Sequence, residues 1–346
     1  MFALLLAILP AFSASGEPAQ IRAIFDEGMY WAGSATDVSH VLNRVKRAGF
    51  NTYIPCVWHG QGTTWPSNVA PVWDANPSVA ANDALARFIT AAHRVDIKVL
   101  PCFTLMLRQR EFLPEFASES RPEGVFDVQN PEFRAFATKL VVEVVQRYAV
   151  DGINLDYVRA GQVCYDADCR QQYSDSQQRN LMGDVALHKV NEAAFDSIVT
   201  WQRKAVRALI EGIVTEARQV RPSLLVTVDA APWADSVVIE GQDSLAWSED
   251  GLVDLVFSMN YEPSIDWAAL RALQSGLRHP ERFAVMVANY DGDPPGKLVP
   301  RKPVALRTLV NQAAKFNPAG SYAVYIYSLL TNEQVMELSL RELPGG

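Results

Sequence analysis

The stretch Val150-Asp151-Gly152-Ile153-Asn154-Leu155-Asp156-Tyr157-Val158-Arg159 decides how the rest of the chain is read. Asp151-Gly152 is a turn signal that closes a preceding helix. Ile153, Leu155 and Val158 are apolar and β-favouring, so the stretch predicts a short buried strand with a carboxylate at its exit. Strand side chains alternate, which puts Asn154 and Asp156 on one face and Ile153 and Leu155 on the other. A polar face ending in Asp is either a loop cap or the working end of a strand in a parallel α/β barrel.

Outward from this strand the chain alternates strand and helix. Strands are expected at Arg22–Phe25, Asn51–Val57, Ile97–Phe103, the stretch itself, Leu224–Asp229, Val253–Asn260, Phe283–Asn289 and Tyr322–Ile326. Helices are expected from Val38 to Ala48 with Asp37 as N-cap, Asp83 to Arg94, Pro131 to about Tyr148, Asn191 to Val220, Trp267 to Ser275, Pro303 to Phe316 and Asn332 to Leu340. The segment from Ala160 to about Lys189 is rich in Gln, Asp and Ser with little periodicity, and the connection after strand five has weak helix signal. Eight βα units with no linker between them predict one closed (β/α)8 barrel spanning 20–346. An open doubly wound sheet is the competing arrangement, but no Gly-rich phosphate loop follows strand one.

With 346 residues, 49% hydrophobic and 20% charged, the chain has the composition of a soluble globular protein. The net charge of -8 comes with scattered Lys and Arg, which argues against a nucleic-acid partner. Residues 1–19 open on an apolar run followed by small residues, and are expected to be a secretory signal cleaved between Ser13 and Ala19, although no Lys or Arg precedes Arg22. Export to the periplasm or the outside follows from that expectation, and no other stretch is long and apolar enough to span a bilayer. Cys164 and Cys169 sit in a polar loop that they could staple in an oxidising compartment. Cys56 and Cys102 lie in two similar strands and read as buried small hydrophobes.

Period two applied at each strand exit assembles a polar rim. It comprises Asn154 and Asp156, Thr227 and Asp229, Ser258 and Asn260 followed by Glu262, Asn289 followed by Asp291, and Asp26-Glu27. Several carboxylates converging on one mouth are costly unless solvated, paired or used. Trp58, Trp65, Trp73, Trp233, Trp247, Tyr261 and Tyr290 lie in or beside the same loops. Flat rings beside carboxylates suit sugars. Trp58 and Trp65 flank a small polar loop that begins at His59, and all three are expected to face ligand.

Glycoside hydrolysis needs one carboxyl to protonate the leaving oxygen and another to attack or activate water. Asp156 is the candidate nucleophile, with Arg159 either keeping it ionised or binding a surface acid. Asp229, on the next strand, is the candidate acid and Glu262 its rival; Glu27 and Asp291 are left for sugar hydroxyls, with Asn154, Asn260 and Tyr261 beside them. No cofactor is expected. Asp156, Asp229 and Asp291 offer oxygen atoms to a divalent metal, but no His is expected at these exits and no CxxC motif or Cys/His cluster is present.

Tyr148 to Arg159, the helix segment Trp201-Gln202-Arg203-Lys204-Ala205-Val206, Gly251-Leu252-Val253-Asp254 leading to Met259-Asn260-Tyr261, and Leu42 to Thr52 together resemble the family-10-like glycosyl hydrolases, bacterial (β/α)8 proteins allied to the α-amylase and α-galactosidase barrels. The resemblance covers most of the chain after residue 19. It implies a carbohydrate substrate and makes Asp156 the counterpart of the family's strand-four acid. The chain departs from the pattern at Ala160-Gly161, where an aromatic and Pro are expected, at Asp26-Glu27-Gly28, and at Asp229, an acid on strand five. The expectation is an exported glycoside hydrolase acting on a bacterial poly- or oligosaccharide. The alternative is a catalytically silent barrel that holds glycan.

Overall fold

The computed structural model describes residues 20–340 apart from 118–123, 235–238 and 294–295. The expected signal segment, residues 1–19, lies outside them. Eight parallel strand positions form a closed barrel: β1 Arg22–Asp26, β2 Thr52–Trp58, β3 in two segments Lys98–Val99 and Cys102–Thr104, β4 Gly152–Asp156, β5 Leu225–Ala230, β6 Leu255–Asn260, β7 Phe283–Ala288 and β8 Tyr322–Tyr325. Each strand pairs with the next in sequence, and β1 pairs with both β2 and β8, which closes the ring. The (β/α)8 expectation holds.

The helices α1 Ala35–Arg47, α2 Ala84–His93, α3 Pro131–Arg147, α4 Glu192–Val220, α5 Ser244–Glu249, α6 Trp267–Ser275, α7 Pro303–Phe316 and α8 Asn332–Ser339 follow the strands in turn. Their starts obey local chemistry. Asn130 accepts from the Glu132 and Phe133 amides with Pro131 behind it, where a missing N–H costs nothing. Ser34 caps α1, and Asp37, expected as the N-cap, instead sits three residues in and closes a capping box. α5 forms where the helix signal was weak. Among the described residues, no helix is long and apolar enough to cross a membrane.

Two apolar layers follow from the alternation. Ala23, Phe25, Ile54, Cys56, Leu100, Cys102, Leu255, Phe257, Ala284, Met286 and Ala323 fill the barrel interior. Ile24, Val57, Ile153, Leu155, Val226, Val228, Val256, Val285 and Val324 face the helices. The segment after β4 forms two short helices, Ala167–Gln177 and Leu181–Leu187, which the sequence reading left irregular. A Cys164–Cys169 disulfide ties their start, and both sulfurs join Tyr173, Leu181, Ile198 and Trp201 in a separate small core against α4. A β-hairpin, Tyr290–Asp293 paired with Lys297–Pro300, extends from β7 and was not anticipated either.

Candidate active site

β4 delivers the polar pair as its alternation requires. Asn154 is buried, and its Nδ2 donates to Thr227 Oγ1 at 3.0 Å and to Asp229 Oδ1 at 3.1 Å on β5. Parallel pairing sets Asn154 directly beside Thr227, so the contact is fixed by register. Asp156 sits at the strand end, half-buried, with Oδ1 accepting from the Tyr157 amide at 2.7 Å. One carboxylate oxygen each from Asp156 and Asp229 and the Cys102 sulfur all lie within 4.8 Å of one another.

These two acids are held in different states. Burial, with the charge of neighbouring Glu27 added, raises Asp156 to about 6, against opposing help from the Tyr157 amide, Arg159 and His59. Asp229 is 2% exposed, and burial plus the Asp156 charge push it well above the usual carboxylate range. Burial thus raises both carboxyls, and Asp229 the more, which sets the two acids apart in the sense that acid–base assignments use.

The rest of the mouth is aromatic on one side. Tyr261 stacks on Tyr325 with ring centroids 4.8 Å apart, and Tyr290 meets Tyr325 edge-on at 6.2 Å. Glu27 acts electrostatically on the Tyr325 phenol, and both Asp156 and Asp229 act on that of Tyr261. Tyr325 was missed in the sequence because the strand Tyr322-Ala323-Val324-Tyr325 carries an aromatic at both ends, and only pairing shows which one reaches the mouth.

His59 stands on the opposite side, just past β2. A register shift between Cys56 and Trp58 breaks the alternation there. Gly60 follows at φ 67°, and a Cβ on it would lie 1.7 Å from the Leu107 carbonyl oxygen, so only glycine fits. Gln109 locks the turn by donating its amide to Gly60 O at 2.8 Å and its side chain to His59 O at 3.1 Å. The Cys56 sulfur lies 3.2 Å from that of Cys102 on β3, and Cys56 acts electrostatically on His59. Burial works against the charge on His59, yet Cys56, Glu27 and Asp156 together raise it to about 9.

Several sequence expectations need correction. Trp58 is 1% exposed and packs on Phe112 and Phe136, while Trp65 is 0% exposed with its Nε1 donating to Glu143; neither ring is available to a ligand. Asn260 and Ser258 share the outer face of β6, where Asn260 Nδ2 donates to Ser258. The inward face carries Leu255, Phe257 and Met259 instead: β6 alternates visibly, but the face that bears Ser258 and Asn260 turns to the helices with Val256, the reverse of β4 and β5. Glu262 is exposed beyond the strand end and is absent from the acidic cluster. Asp291 pairs with Arg301 at 3.0 Å in the hairpin. Asn289 clamps β7 to Ile326 and Gln334. Arg159 pairs with Glu240 at 3.3 Å and lies over the Tyr157 ring, so its effect on Asp156 is exerted at a distance.

The β4 and β5 exits thus bring two raised carboxyls together at one barrel mouth. Residues 115–283 match the family model described as glycosyl hydrolase-like 10. The matched segment carries Asn154, Asp156, Thr227, Asp229 and Tyr261, so the resemblance read from the sequence holds where the site is built. No curated protein sequence matches the chain. Among solved structures, the PgaB (BpsB) glycoside hydrolase domain from Bordetella bronchiseptica is similar with a TM-score of 0.69 at 12% identity, covering 94% of this chain and 100% of that one. A β-galactosidase from Rahnella sp. R3 has a TM-score of 0.62 at 13% identity over 89% of this chain and 50% of that chain. α-L-Fucosidase isoenzyme 2 from Paenibacillus thiaminolyticus has 0.59 at 15%, over 92% and 48%. The chain thus spans about half the length of the galactosidase and of the fucosidase. At these identities the likeness is one of fold.

Proposed function

We propose that this glycosyl hydrolase-like barrel is an exported glycosidase that cleaves a bacterial poly- or oligosaccharide, with Asp156 as nucleophile or base and Asp229 as acid. The observation that carries the reading is the pair itself. Two carboxyls with oxygens within 4.8 Å sit at one barrel mouth, one raised to about 6 and the other raised well above the usual carboxylate range. Oxygens this close favour the retaining arrangement, with carboxyls about 5–5.5 Å apart, over the inverting one at about 6.5–9.5 Å. The stacked Tyr261 and Tyr325 supply a flat apolar face for a sugar ring, and Glu27 supplies an acceptor for its hydroxyls.

The test is a hydrolysis screen over bacterial polysaccharides with the unaltered chain, Asp156→Asn and Asp229→Asn. Turnover by the parent and a fall of about 10³-fold or more in either variant are expected, since a positioned acid or base is worth 10²–10⁴-fold. Undiminished turnover in Asp156→Asn would sink the assignment. One observation favours the second reading, a barrel that holds glycan without cutting it: Asp229 is only 2% exposed and is engaged by Asn154, leaving little surface for a leaving oxygen to approach. Under that reading a glycan binds by calorimetry and is recovered uncut.

A further inference from the structure

Of the four cysteines in the chain, Cys164 and Cys169 are already bridged, and Cys56 and Cys102 are free and buried. Cys56 on β2 and Cys102 on β3 are register partners on adjacent parallel strands. Both side chains lie in the barrel interior, and their sulfurs are 3.2 Å apart. Neighbouring strands run about 4.8 Å apart, inside the roughly 4.4–6.8 Å between Cα atoms that a disulfide spans, and side chains on one face of a sheet leave the backbone in the same direction. The β2–β3 ladder is thin at this point. Tyr53 O accepts from the Leu100 amide at 3.1 Å, so Pro55, two residues on, faces β3 as well and has no amide hydrogen to give it. β3 is broken between Val99 and Cys102, and its register with β2 slips between Cys56 and Trp58. The two free thiols therefore meet where the strands are least tied by backbone, beside the acids: oxygens of Asp156 and Asp229 lie within 4.8 Å of Cys102 Sγ.

We propose that Cys56 and Cys102 are a second disulfide site of this chain, closed by exchange with a disulfide-bearing oxidant, and that the bond clamps β2 to β3 under the mouth. Either cysteine, as its thiolate, attacks one sulfur of the oxidant RS–SR. The oxidant's S–S bond breaks, and one RS⁻ leaves and takes up the proton that the thiol lost. The other cysteine, as its thiolate, attacks the protein sulfur of the mixed disulfide. The Cys–SR bond breaks, Cys56–Cys102 forms, and a second RSH leaves with the second proton. The chain loses two electrons and two protons, and the oxidant gains both. Both cysteines are 1% exposed, so exchange takes place while the chain folds, and the closed bond is afterwards shielded from reductant. The bond leaves the floor of the mouth without a titrating thiol beside Asp156 and Asp229. The competing fate is a pair of thiols that stay free as small apolar fillers.

The inference goes beyond the glycosidase reading and is tested without a glycan. The full chain is produced twice, by export into an oxidising compartment and by expression in a reducing cytosol with a phosphine reductant kept present. Each preparation is unfolded in an alkylating reagent, digested without further reductant and mapped by mass spectrometry. The exported chain should give a Cys56–Cys102 cross-linked peptide, with neither cysteine alkylated. The cytosolic chain should give both cysteines alkylated. In a Cys164→Ser/Cys169→Ser chain, which isolates the pair, the oxidised form should melt about 5 °C or more above the reduced one, because the bond joins positions 46 residues apart. Alkylated Cys56 and Cys102 from the exported chain, a cross-link of either to Cys164 or Cys169, or equal melting temperatures of the two forms would each overturn the site. The mapping uses the unaltered chain, so it decides the matter even where the variant fails to fold. Glycan turnover, present or absent, bears on the glycosidase reading and leaves this result unchanged.

Discussion

At the scale of single residues, the mouth is governed by how burial treats charge. Asp156 and Asp229 differ by one strand and a small change in enclosure, yet the first is raised to about 6 and the second well beyond the carboxylate range. If Asp156 must be ionised and Asp229 protonated, turnover should rise as pH climbs through about 6, because only above that value is the raised carboxyl charged. A pH–rate profile checks this, and an activity already maximal at pH 4 would contradict it. Tyr325 reaches both Glu27 and the Tyr261 ring. Tyr325→Ala should therefore weaken glycan binding by about 5–100-fold, the equivalent of 1–3 kcal/mol for a lost stacking face, with the melting temperature changed less than the affinity. Asp156 was legible from one strand because β4 shows a polar and an apolar face side by side. The partner acid was legible only as a choice between Asp229 and Glu262, since whether the chain stays extended after Asn260 is not written in Glu262 or its neighbours.

At the scale of elements, the turn after β2 and the segment after β4 matter most. Gly60→Ala cannot keep its backbone, because the new methyl would meet the Leu107 carbonyl, and the turn that carries His59 must shift. The expected result is a loss of several degrees in Tm, read by calorimetry. In the segment after β4, Arg179 donates to both oxygens of Asp184 at 2.6 Å, and the Tyr173 hydroxyl donates at 2.6 Å. The Arg179 hydrogen bonds hold Asp184 below the usual carboxylate range. A depressed folded-state pKa contributes stability that is present above the unfolded value near pH 4 and is lost as pH falls through the folded one. The stability difference between the parent and Asp184→Asn, followed by denaturant titration, should therefore shrink below about pH 4. The Cys164–Cys169 bridge closes a very short loop, for which chain entropy gives only about 2 kcal/mol. Its reduction should loosen the two short helices, seen by hydrogen exchange, while the barrel strands remain protected.

At the scale of the whole molecule, the barrel converts eight separate alternations into one mouth. Each strand contributes only one or two side chains there, and closure between β1 and β8 brings Glu27 and Tyr325 together across 298 positions of sequence. The interior below the mouth is packed with Phe25, Phe257, Met286 and small residues, so the site is a pit over a solid core rather than a channel. Phe257→Ala would open a cavity under Asp229 and should cost about 3–5 kcal/mol, measured by denaturant unfolding. Its effect on turnover should exceed that of an equally destabilising change at Val335 on α8, which packs into the helix-side core.

The sequence by itself determined the eight βα units, the inward pair Asn154 and Asp156, and the likeness to glycosyl hydrolases. These depend on periodicity and on short motifs, which are local properties of a chain. It did not determine the phase of β6, the burial of Trp58 and Trp65, the engagement of Arg159 with Glu240, or the meeting of Cys56 and Cys102. A strand with one apolar and one mixed face does not itself say which face turns inward, a loop tryptophan is drawn wherever apolar partners converge, and two cysteines 46 residues apart become neighbours only through register. Asp156 therefore stands as the sequence placed it, while the company it keeps was decided by barrel closure and strand pairing.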